Sequence, residues 1–428
     1  MPVSAARSAA FDILLRVETT DAYAAELLHS ARAAALSPAD HGLATEIVMG
    51  VLRWRSVLDQ SIGAHSRKPV GKFDVEVITA LRIGAYQLSF LDRIPPRAAI
   101  HESVELVKRA QKRSAAGMVN AVLRKIIPSP ASNPVAAHPK WLIERWSANY
   151  GPKAVEEICA YDQQAPHTVL RADRAQAQDL EREGVALQPG NLVSGAYMVA
   201  SGDLTHAPAF SEKRLVLQDE ASQLVALLLG RGERILDCCA APGGKTRILA
   251  EQSPGAMVVA LELHPHRAAL MRRLVRTNNV HVITADARAM PLAGGFDRVL
   301  ADVPCTGTGT LARNPEIKWR LRIEDIERMR AYQLEILSAA MRQVRVGGRL
   351  VYSSCSLEPE ENEAVVEQAL QKSPHFRLID MRDPLVELRK HGTLVCSADS
   401  LIQGPYLRTI PGVHACDGFF AGLLERKM

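Results

Sequence analysis

The sequence lacks three features that would place the protein in a membrane or an oxidising compartment. No apolar run approaches the roughly 18 residues of a membrane span. The N-terminus has no uninterrupted apolar segment like that of a secretory signal peptide, since Asp12 and Arg16 interrupt it. The seven cysteines form no C-x-x-C pair, and an odd number without disulfide or zinc spacing is typical of a reducing compartment. We therefore expect a cytoplasmic protein without a membrane segment or a metal site.

Length and charge limit the architecture. A chain of 428 residues is too long for one ordinary core, so two or three domains are expected. Residues 1–130 contain 17 Lys and Arg against 12 Asp and Glu, and these account for the whole net charge of +5. A basic region joined to a neutral one favours a polyanionic substrate that the first region holds and the second processes. A soluble basic domain without such a partner would give the same balance.

The sequence pattern predicts three regions. Residues 1–130 repeat apolar positions at helical spacing and predict an all-α bundle, in which Ser37 and Pro38 begin a helix as N-cap and first residue. Residues 131–216 predict a linker followed by a small α+β module, and residues 217–428 predict an α/β Rossmann-like domain. The linker is marked by prolines at positions 128, 130, 134 and 139.

Basic side chains gather late in the first region. Spacings of three and four place Arg109, Lys112 and Arg113 on one helical face, and Arg124 and Lys125 follow. A run of charges is usually a solvated face, so RNA contact is one of two interpretations here.

The stretch RILDCCAAPGGKT, residues 234–246, predicts a strand, a tight turn and a helix. Its glycines allow backbone amides to approach a ligand at a helix N-terminus. The end GKT matches a phosphate-binding loop, but the first glycine of that pattern would fall on Cys239, and Pro242 lacks an amide hydrogen. The stretch therefore favours an adenosine-bearing cofactor over a nucleoside triphosphate.

Three further apolar runs end on acids. MVVALE ends at Glu262, VHVITAD at Asp286 and FDRVLAD at Asp302. The carboxyl ends of parallel strands line one crevice, so these acids are expected on one edge of the sheet, where Glu262 can accept from ribose hydroxyls. Each acid alone could instead be a helix cap or a turn former.

Two cysteines are expected at the same edge. Cys305 follows the strand that ends at Asp302. A helix is expected from about 323 to 345, and Gly347 and Gly348 are expected to break it. The segment RLVYSSCS should form the next strand, which ends at Cys355. A reactive thiolate needs an electropositive, partly open environment, which helix N-termini and Lys245 could provide. The remaining candidates, Cys159, Cys238 and Cys396, are predicted to be small buried hydrophobes.

An acid, a thiolate and an adenosine cofactor suit one reaction in particular. Carbon 5 of a pyrimidine is a poor nucleophile toward a methyl donor. A thiolate that adds to carbon 6 makes the ring an enamine, so that carbon 5 can attack a methyl sulfonium. An acid beside ring nitrogen 3 would stabilise the charge that develops, and a base must later remove the carbon-5 proton.

Longer motifs resemble two known families. GLATEIVMGVLRWRSVLD and the helical segments after it closely resemble the NusB family of RNA-binding helical domains, over most of residues 5–127. AAPGGKT, DVPCTGTGTLARNPEIKW and YSSCSLEPEEN resemble the cofactor, Pro-Cys and second-cysteine motifs of the Sun family of RNA 5-methylcytosine methyltransferases. A NusB-like domain in front narrows the resemblance to the enzymes that act on small-subunit (16S) ribosomal RNA.

The resemblance implies specific roles. Cys355 would be the nucleophile, Cys305 would assist product release, and Asp302 and Lys245 would complete the catalytic group. The substrate would be 16S ribosomal RNA before full subunit assembly, and the enzyme a monomer. Two positions depart from the family pattern, since Glu262 stands where aspartate is usual and Val303 where alanine is common. The residues implied to hold S-adenosylmethionine are Cys239, Ala240, Ala241, Pro242, Gly243, Gly244, Lys245, Glu262, Asp286 and Asp302.

Three alternatives remain open. A relative could methylate transfer RNA or 23S ribosomal RNA instead. The chain could be a non-catalytic NusB-like RNA-binding or antitermination factor, although intact Asp302, Cys305 and Cys355 argue against a degenerate site. The nucleophile is also ambiguous, because in DNA 5-methylcytosine enzymes it is the cysteine of a Pro-Cys pair, which would nominate Cys305.

Overall fold

The computed structural model describes residues 3–127, 133–212, 215–275 and 277–427. The chain forms two compact units. The first contains Met1–Ala165 and Leu311–Arg320, and the second contains Pro166–Thr310 and Leu321–Met428. The predicted boundary at residue 130 would place residues 131–165 with the small module, whereas the compact units group them with the helices. Pro128 and Pro130 of the predicted linker lie outside the described residues.

The first unit is helical, as predicted. Its buried core is aliphatic and includes Leu14, Ile47, Leu52, Leu81 and Leu106. The helices of its long stretch are α1 Ala5–Thr19, α2 Ala24–Leu28, α3 Ala31–Ala34, α4 Pro38–His65, α5 Val75–Phe90, α6 Pro96–Arg109, α7 Ala116–Leu123, α8 Lys140–Tyr150 and α9 Pro152–Asp162.

The start of α4 confirms the predicted cap. The Ser37 hydroxyl accepts the backbone N–H of Asp40 at 3.2 Å, and Pro38 is the first helical residue. The predicted basic face is partly neutralised, since Arg109 pairs with Asp12 at 3.0 Å. Ion pairs of this kind reduce the charge that the face presents to a polyanion.

The second unit begins with a small α+β module. Its four strands are all antiparallel, in the order β2-β3-β1-β4. The strands are β1 Val169–Arg171, β2 Ala186–Pro189, β3 Ala196–Ser201 and β4 Val216–Leu217, with helices α10 Arg174–Arg182 and α11 Pro208–Ser211.

Nine strands form the large sheet within the described part of this unit. Five of them are parallel neighbours in the order β9-β8-β5-β6-β7, and the last strand, β13, pairs antiparallel with β9. Such a parallel core with helices on its faces confirms the predicted α/β class. The strands are β5 Arg234–Asp237, β6 Met257–Glu262, β7 Val280–Thr284, β8 Phe296–Asp302, β9 Val344–Ser354, β10 Phe376–Ile379, β11 Ile402–Gln403, β12 Tyr406–Thr409 and β13 Phe419–Arg426.

The central strands are apolar because both faces of the sheet are covered. Neighbouring residues Ile235 and Leu236 of β5 belong to separate buried clusters, one on each face. The covering helices are α12 Glu220–Leu228, α13 Gly244–Gln252, α14 Pro265–Leu274, α16 Ile323–Gln343, α17 Glu363–Lys372 and α18 Arg382–Lys390.

The predicted break at Gly347 and Gly348 was wrong. The helix α16 ends earlier, at Gln343, and both glycines lie inside β9. The reason is that Val344 already pairs with Phe296 of β8, so tertiary strand pairing and not glycine ends the helix.

The first unit also includes the segment 311–320, which follows the Cys305 loop in the sequence and contains α15 Ile317–Arg320. Lys318 is buried, and its ammonium donates to the carbonyl oxygens of Arg53 and Ala137 at 3.0 Å each. The indole N–H of Trp319 donates to a carbonyl oxygen of α4 at 2.7 Å. Burial lowers the pKa of Lys318 to about 7. The segment is thus part of the helical core.

None of the helices in the described ranges combines the length and the apolar character that crossing a membrane requires.

Candidate active site

The predicted acids lie where parallel strands end. Glu262 is the last residue of β6 and Asp302 the last of β8, while Asp286 lies two residues beyond the end of β7. These strands and β5 are neighbours with the same direction, so their carboxyl ends meet at one edge of the sheet. This is the edge at which open α/β sheets bind ligands.

The glycine turn joins β5 to α13. Gly243 precedes the helix with a φ of 110°, which glycine adopts without strain. A Cβ at this position would lie 2.5 Å from Val275 Cγ2, so a larger residue would also clash. The turn is therefore fixed by both conformation and space.

Asp237, at the end of β5, was not among the predicted site residues. Its carboxylate is buried and accepts the Thr246 hydroxyl at 2.6 Å, which ties the strand to α13 behind the turn. Burial raises the pKa of Asp237 to about 7. An acid at a strand end with a hydroxyl nine residues later was the available signal in the sequence.

A cavity of about 360 Å³ opens at this edge. Of the predicted cofactor residues, Cys239, Ala241, Glu262 and Asp302 line it. The others do not, and these are Ala240, Pro242, Gly243, Gly244, Lys245 and Asp286. Several lining residues that were not predicted reach the cavity from separate helices and loops. These are His264, Arg267, Pro304 and Tyr332.

Glu262 is held in place at the cavity. One carboxylate oxygen accepts the backbone N–H of His264 at 2.9 Å, and the other lies 3.5 Å from the guanidinium of Arg267. Arg267 also donates to the carbonyl oxygen of Ala241 at 3.2 Å. The acid, the glycine turn and α14 are therefore connected by one arginine.

Asp286 has a different environment. Its carboxylate accepts three side-chain hydrogen bonds from the guanidinium of Arg288, one at 2.7 Å and two at 3.1 Å. These bonds lower the pKa of Asp286. Arg288 in turn lies over the ring of Tyr332, 4.9 Å from its centroid. The cavity is lined by the neighbours Ala285 and Ala287, so a role of Asp286 in cofactor binding stays a prediction.

The structure brings Lys245 and Asp302 together. The ammonium of Lys245 lies 2.8 Å from one carboxylate oxygen of Asp302, and the hydroxyl of Ser353 donates to the other at 2.7 Å. Lys245 also lies over the ring of Phe419, 5.1 Å from its centroid. Asp302 is thus held between a cation and a hydroxyl from the next strand.

The two predicted cysteines are neighbours. The sulfur atoms of Cys305 and Cys355 are 3.1 Å apart, and both side chains are partly exposed. The hydrogen bond to Cys355 and burial raise the pKa of the Cys305 thiol. Gly309 fixes the two turns, because its N–H donates to the Cys355 carbonyl at 2.9 Å and a Cβ would lie 2.8 Å from that oxygen.

This arrangement suits nucleophilic catalysis. Two thiols lie together beyond the ends of β8 and β9, and the acid at the end of β8 pairs with a lysine, although neither cysteine is among the residues that line the cavity. One sulfur can attack while the other donates or accepts a proton. Among the residues described, no cluster of three or more His, Cys, Asp or Glu could hold a metal ion.

Comparison with known families gives a match for each region. Residues 4–128 match the NusB family, and residues 138–201 match the ferredoxin-like domain of RsmF/B-like methyltransferases. Residues 224–425 match the family described as 16S rRNA methyltransferase RsmB/F. These matches confirm the predicted order of a NusB-like bundle, a small α+β module and a methyltransferase domain.

Whole-length relatives agree. The chain is 34% identical to the probable ribosomal RNA small subunit methyltransferase B of Bacillus subtilis, with 100% of both chains covered. It is also 34% identical to ribosomal RNA small subunit methyltransferase B of Vibrio cholerae, covering 92% of this chain and 91% of that one.

Two solved structures share the fold. The crystal structure of PH0851 matches with a TM-score of 0.80 at 23% identity over 100% of both chains. NSun6 from Pyrococcus horikoshii with SFG matches with a TM-score of 0.57 at 20% identity, covering 68% of this chain and 98% of that one.

Proposed function

Since the chain belongs to the RsmB/F family of 16S rRNA methyltransferases, we propose that it methylates carbon 5 of a cytosine in 16S ribosomal RNA, with S-adenosylmethionine as methyl donor. The observation that carries this proposal is the pair of thiols 3.1 Å apart at the strand end next to Asp302. Methyl transfer to nitrogen or oxygen does not need two thiols. Transfer to carbon 5 needs one thiol to activate the ring and a second group to help release the methylated cytosine from that thiol.

The cavity fits the proposed cofactor. Its volume of about 360 Å³ is in the range of small-molecule sites, and its lining mixes apolar side chains with polar and charged ones, which suits an adenosine moiety. Glu262 would accept from the ribose hydroxyls, while Cys239 and Ala241 would border the cofactor. When bound, S-adenosylmethionine supplies an electrophilic methyl group.

The residues of this chain would prepare the cytosine. The Cys355 thiolate adds to carbon 6, and the electron pair of the 5,6 double bond moves to carbon 5, which becomes nucleophilic. The carboxylic acid of Asp302 donates its proton to ring nitrogen 3, which balances the negative charge that thiolate addition places there, and Lys245 pairs with the carboxylate that results. After carbon 5 is methylated, its proton is removed with the help of Cys305. The electron pair of the broken carbon–hydrogen bond restores the 5,6 double bond, and the bond between carbon 6 and the sulfur of Cys355 breaks.

Bisulfite sequencing of ribosomal RNA from a deletion strain tests the proposal. We expect one protected cytosine in 16S RNA to become reactive in the deletion strain and protected again after complementation. Loss of protection in transfer RNA or 23S RNA would instead identify another substrate of the same chemistry. Unchanged protection throughout, together with RNA binding by the purified protein, would favour the non-catalytic RNA-binding alternative.

Cofactor binding provides a test at Glu262. We expect Glu262→Ala to weaken S-adenosylmethionine binding by about 1.5–3 kcal/mol, the range for a lost hydrogen bond to a charged group. Isothermal titration calorimetry measures the change. Glu251→Ala, which removes an exposed acid of α13, serves as the control and should bind normally. An unchanged affinity of Glu262→Ala would exclude this carboxylate from the cofactor site.

RNA binding by the helical unit is tested at three exposed cations. Arg113, Arg124 and Lys125 are exposed and, among the described residues, form no ion pair. Each phosphate that they contact releases a counterion. We therefore expect the triple glutamine variant to reduce the salt slope of RNA affinity by up to about 2–3. Filter binding at several salt concentrations measures the slope.

The matched control uses cations of the same unit that already have acidic partners. Arg32, Lys140 and Lys153 pair with Asp12, Glu144 and Glu157. Their replacement by glutamine should leave the salt slope nearly unchanged. Equal slopes for the two triple variants would mean that the first three cations are only solvated surface.

A further inference from the structure

The active-site cysteines lie on turns that are 50 residues apart in the sequence, so something must hold the two turns in register. We propose that Glu361 is the positioning residue that joins them and favours Cys355 over Cys305 as the thiolate. This inference rests on the proposed roles of the two cysteines. Glu361 precedes α17 and does not line the cavity, and we expect it to act through its neighbours.

The carboxylate of Glu361 accepts four hydrogen bonds. One oxygen accepts the backbone N–H of Thr306 at 2.9 Å and the side-chain amide of Gln333 at 2.8 Å. The other oxygen accepts the hydroxyl of Ser356 at 2.6 Å and the hydroxyl of Thr306. Four donors around one carboxyl group are the environment of an ionised carboxylate.

Three of these four donors belong to the cysteine turns, and the fourth belongs to α16. Thr306 directly follows Cys305, and Ser356 directly follows Cys355. A shift of the Glu361 carboxylate would therefore move the backbone beside both sulfurs. The separation of 3.1 Å between the sulfurs depends on that backbone, so Glu361 sets the geometry of the pair together with the hydrogen bond from Gly309.

A negative charge on the Glu361 carboxylate costs free energy, because the group is removed from water. Glu361 is fully buried and, within the residues that the structure describes, has no Lys or Arg within ion-pair distance. Burial raises its pKa, although the hydrogen bonds from Ser356 and Thr306 oppose the rise. A neutral group could tie the turns together without the desolvation cost of a carboxylate. The negative charge of Glu361 therefore indicates a function beyond packing.

That function is to distinguish the two sulfurs. The pKa of Cys305 is raised by its hydrogen bond to Cys355, by burial and also by the charge of Glu361. A nearby negative charge favours the neutral thiol, so Cys305 stays protonated and can donate to the sulfur of Cys355. A hydrogen bond to Cys355 of this kind stabilises its thiolate, which is the attacking species.

Glu361→Gln keeps the size of the side chain and removes its charge. Alkylation by iodoacetamide, followed by peptide mass spectrometry across a range of pH, measures each cysteine separately and does not depend on methylation. In the wild type we expect Cys355 to react faster than Cys305. In the variant we expect the ratio of the two rates to fall about tenfold, the effect of one pKa unit on the thiolate fraction. The turnover number should fall while the KM for RNA stays constant.

Glu220→Gln is the matched control. Glu220 is also buried, and its carboxylate accepts backbone N–H groups of residues 191–193 rather than the cysteine turns. We expect it to lower thermal stability without changing the alkylation ratio. An unchanged ratio in Glu361→Gln would overturn the proposal, even if that variant lost thermal stability to the extent expected of Glu220→Gln.

Two milder variants cover the case that Glu361→Gln does not fold. Thr306→Val and Ser356→Ala each remove one hydroxyl donor and keep the carboxylate. Each should lower the ratio by about threefold, in line with the loss of one hydrogen bond near 1 kcal/mol or less. Wild-type ratios in both would refute the inference. A protein that alkylates as expected but methylates no RNA would refute the proposed function alone.

Discussion

Cys355→Ala is expected to form no covalent RNA complex and no methylated product, whereas Cys305→Ala is expected to accumulate the complex. If Cys355 attacks carbon 6, its removal prevents the first bond from forming. Without Cys305, attack and methyl transfer still occur, but the adduct is released slowly. A denaturing gel with labelled 16S RNA and S-adenosylmethionine shows the complex as a band of reduced mobility.

The environment of the thiols supports this order. The pKa of Cys305 is raised by its hydrogen bond to Cys355 and by burial, which favours the protonated thiol at Cys305. Cys396→Ala, which removes a partly exposed thiol of another loop, is the control and should behave as the wild type. A trapped complex from Cys355→Ala, with none from Cys305→Ala, would reverse the roles and follow the order of the DNA enzymes.

Asp302→Asn should reduce the rate of methyl transfer by about 10²–10⁴, the range for removal of a positioned acid or base. The amide has the same size but has no acidic proton to transfer to ring nitrogen 3, and it loses the ion pair with Lys245. Single-turnover kinetics at saturating RNA and cofactor measure the chemical step. Calorimetry with S-adenosylmethionine then separates this effect from cofactor binding, because Asp302 also lines the cavity.

Ser353→Ala is the control for Asp302. It removes the hydroxyl that donates to the carboxylate and leaves the charge in place. Its rate should fall by about tenfold or less, as expected for one hydrogen bond. If Asp302→Asn transferred methyl groups as fast as Ser353→Ala, the charge of Asp302 would have no part in the chemistry.

The sequence was sufficient where local pattern decides the structure. Ser37 and Pro38 specify a helix start by their own chemistry, and the structure has that start. The apolar runs that end at Glu262 and Asp302 predict buried parallel strands, and the carboxyl ends of such strands meet at one edge regardless of further detail.

The sequence was insufficient where distant segments meet. Tyr332 reaches the cavity from the middle of α16, and Glu361 reaches both cysteine turns, only because of how the helices pack on the sheet. Spacing along the chain carries no information about such contacts.

The position of residues 311–320 has a consequence for biosynthesis. The ribosome makes α1 to α9 long before Lys318, yet Lys318 and Trp319 belong to the same buried core as α4. The carbonyl oxygens of Arg53 and Ala137 therefore cannot accept from Lys318 until β5 to β8 have been synthesised. Domains usually fold in order from the N-terminus. Here the N-terminal unit completes its folding only after four of the nine strands described in the large sheet have emerged.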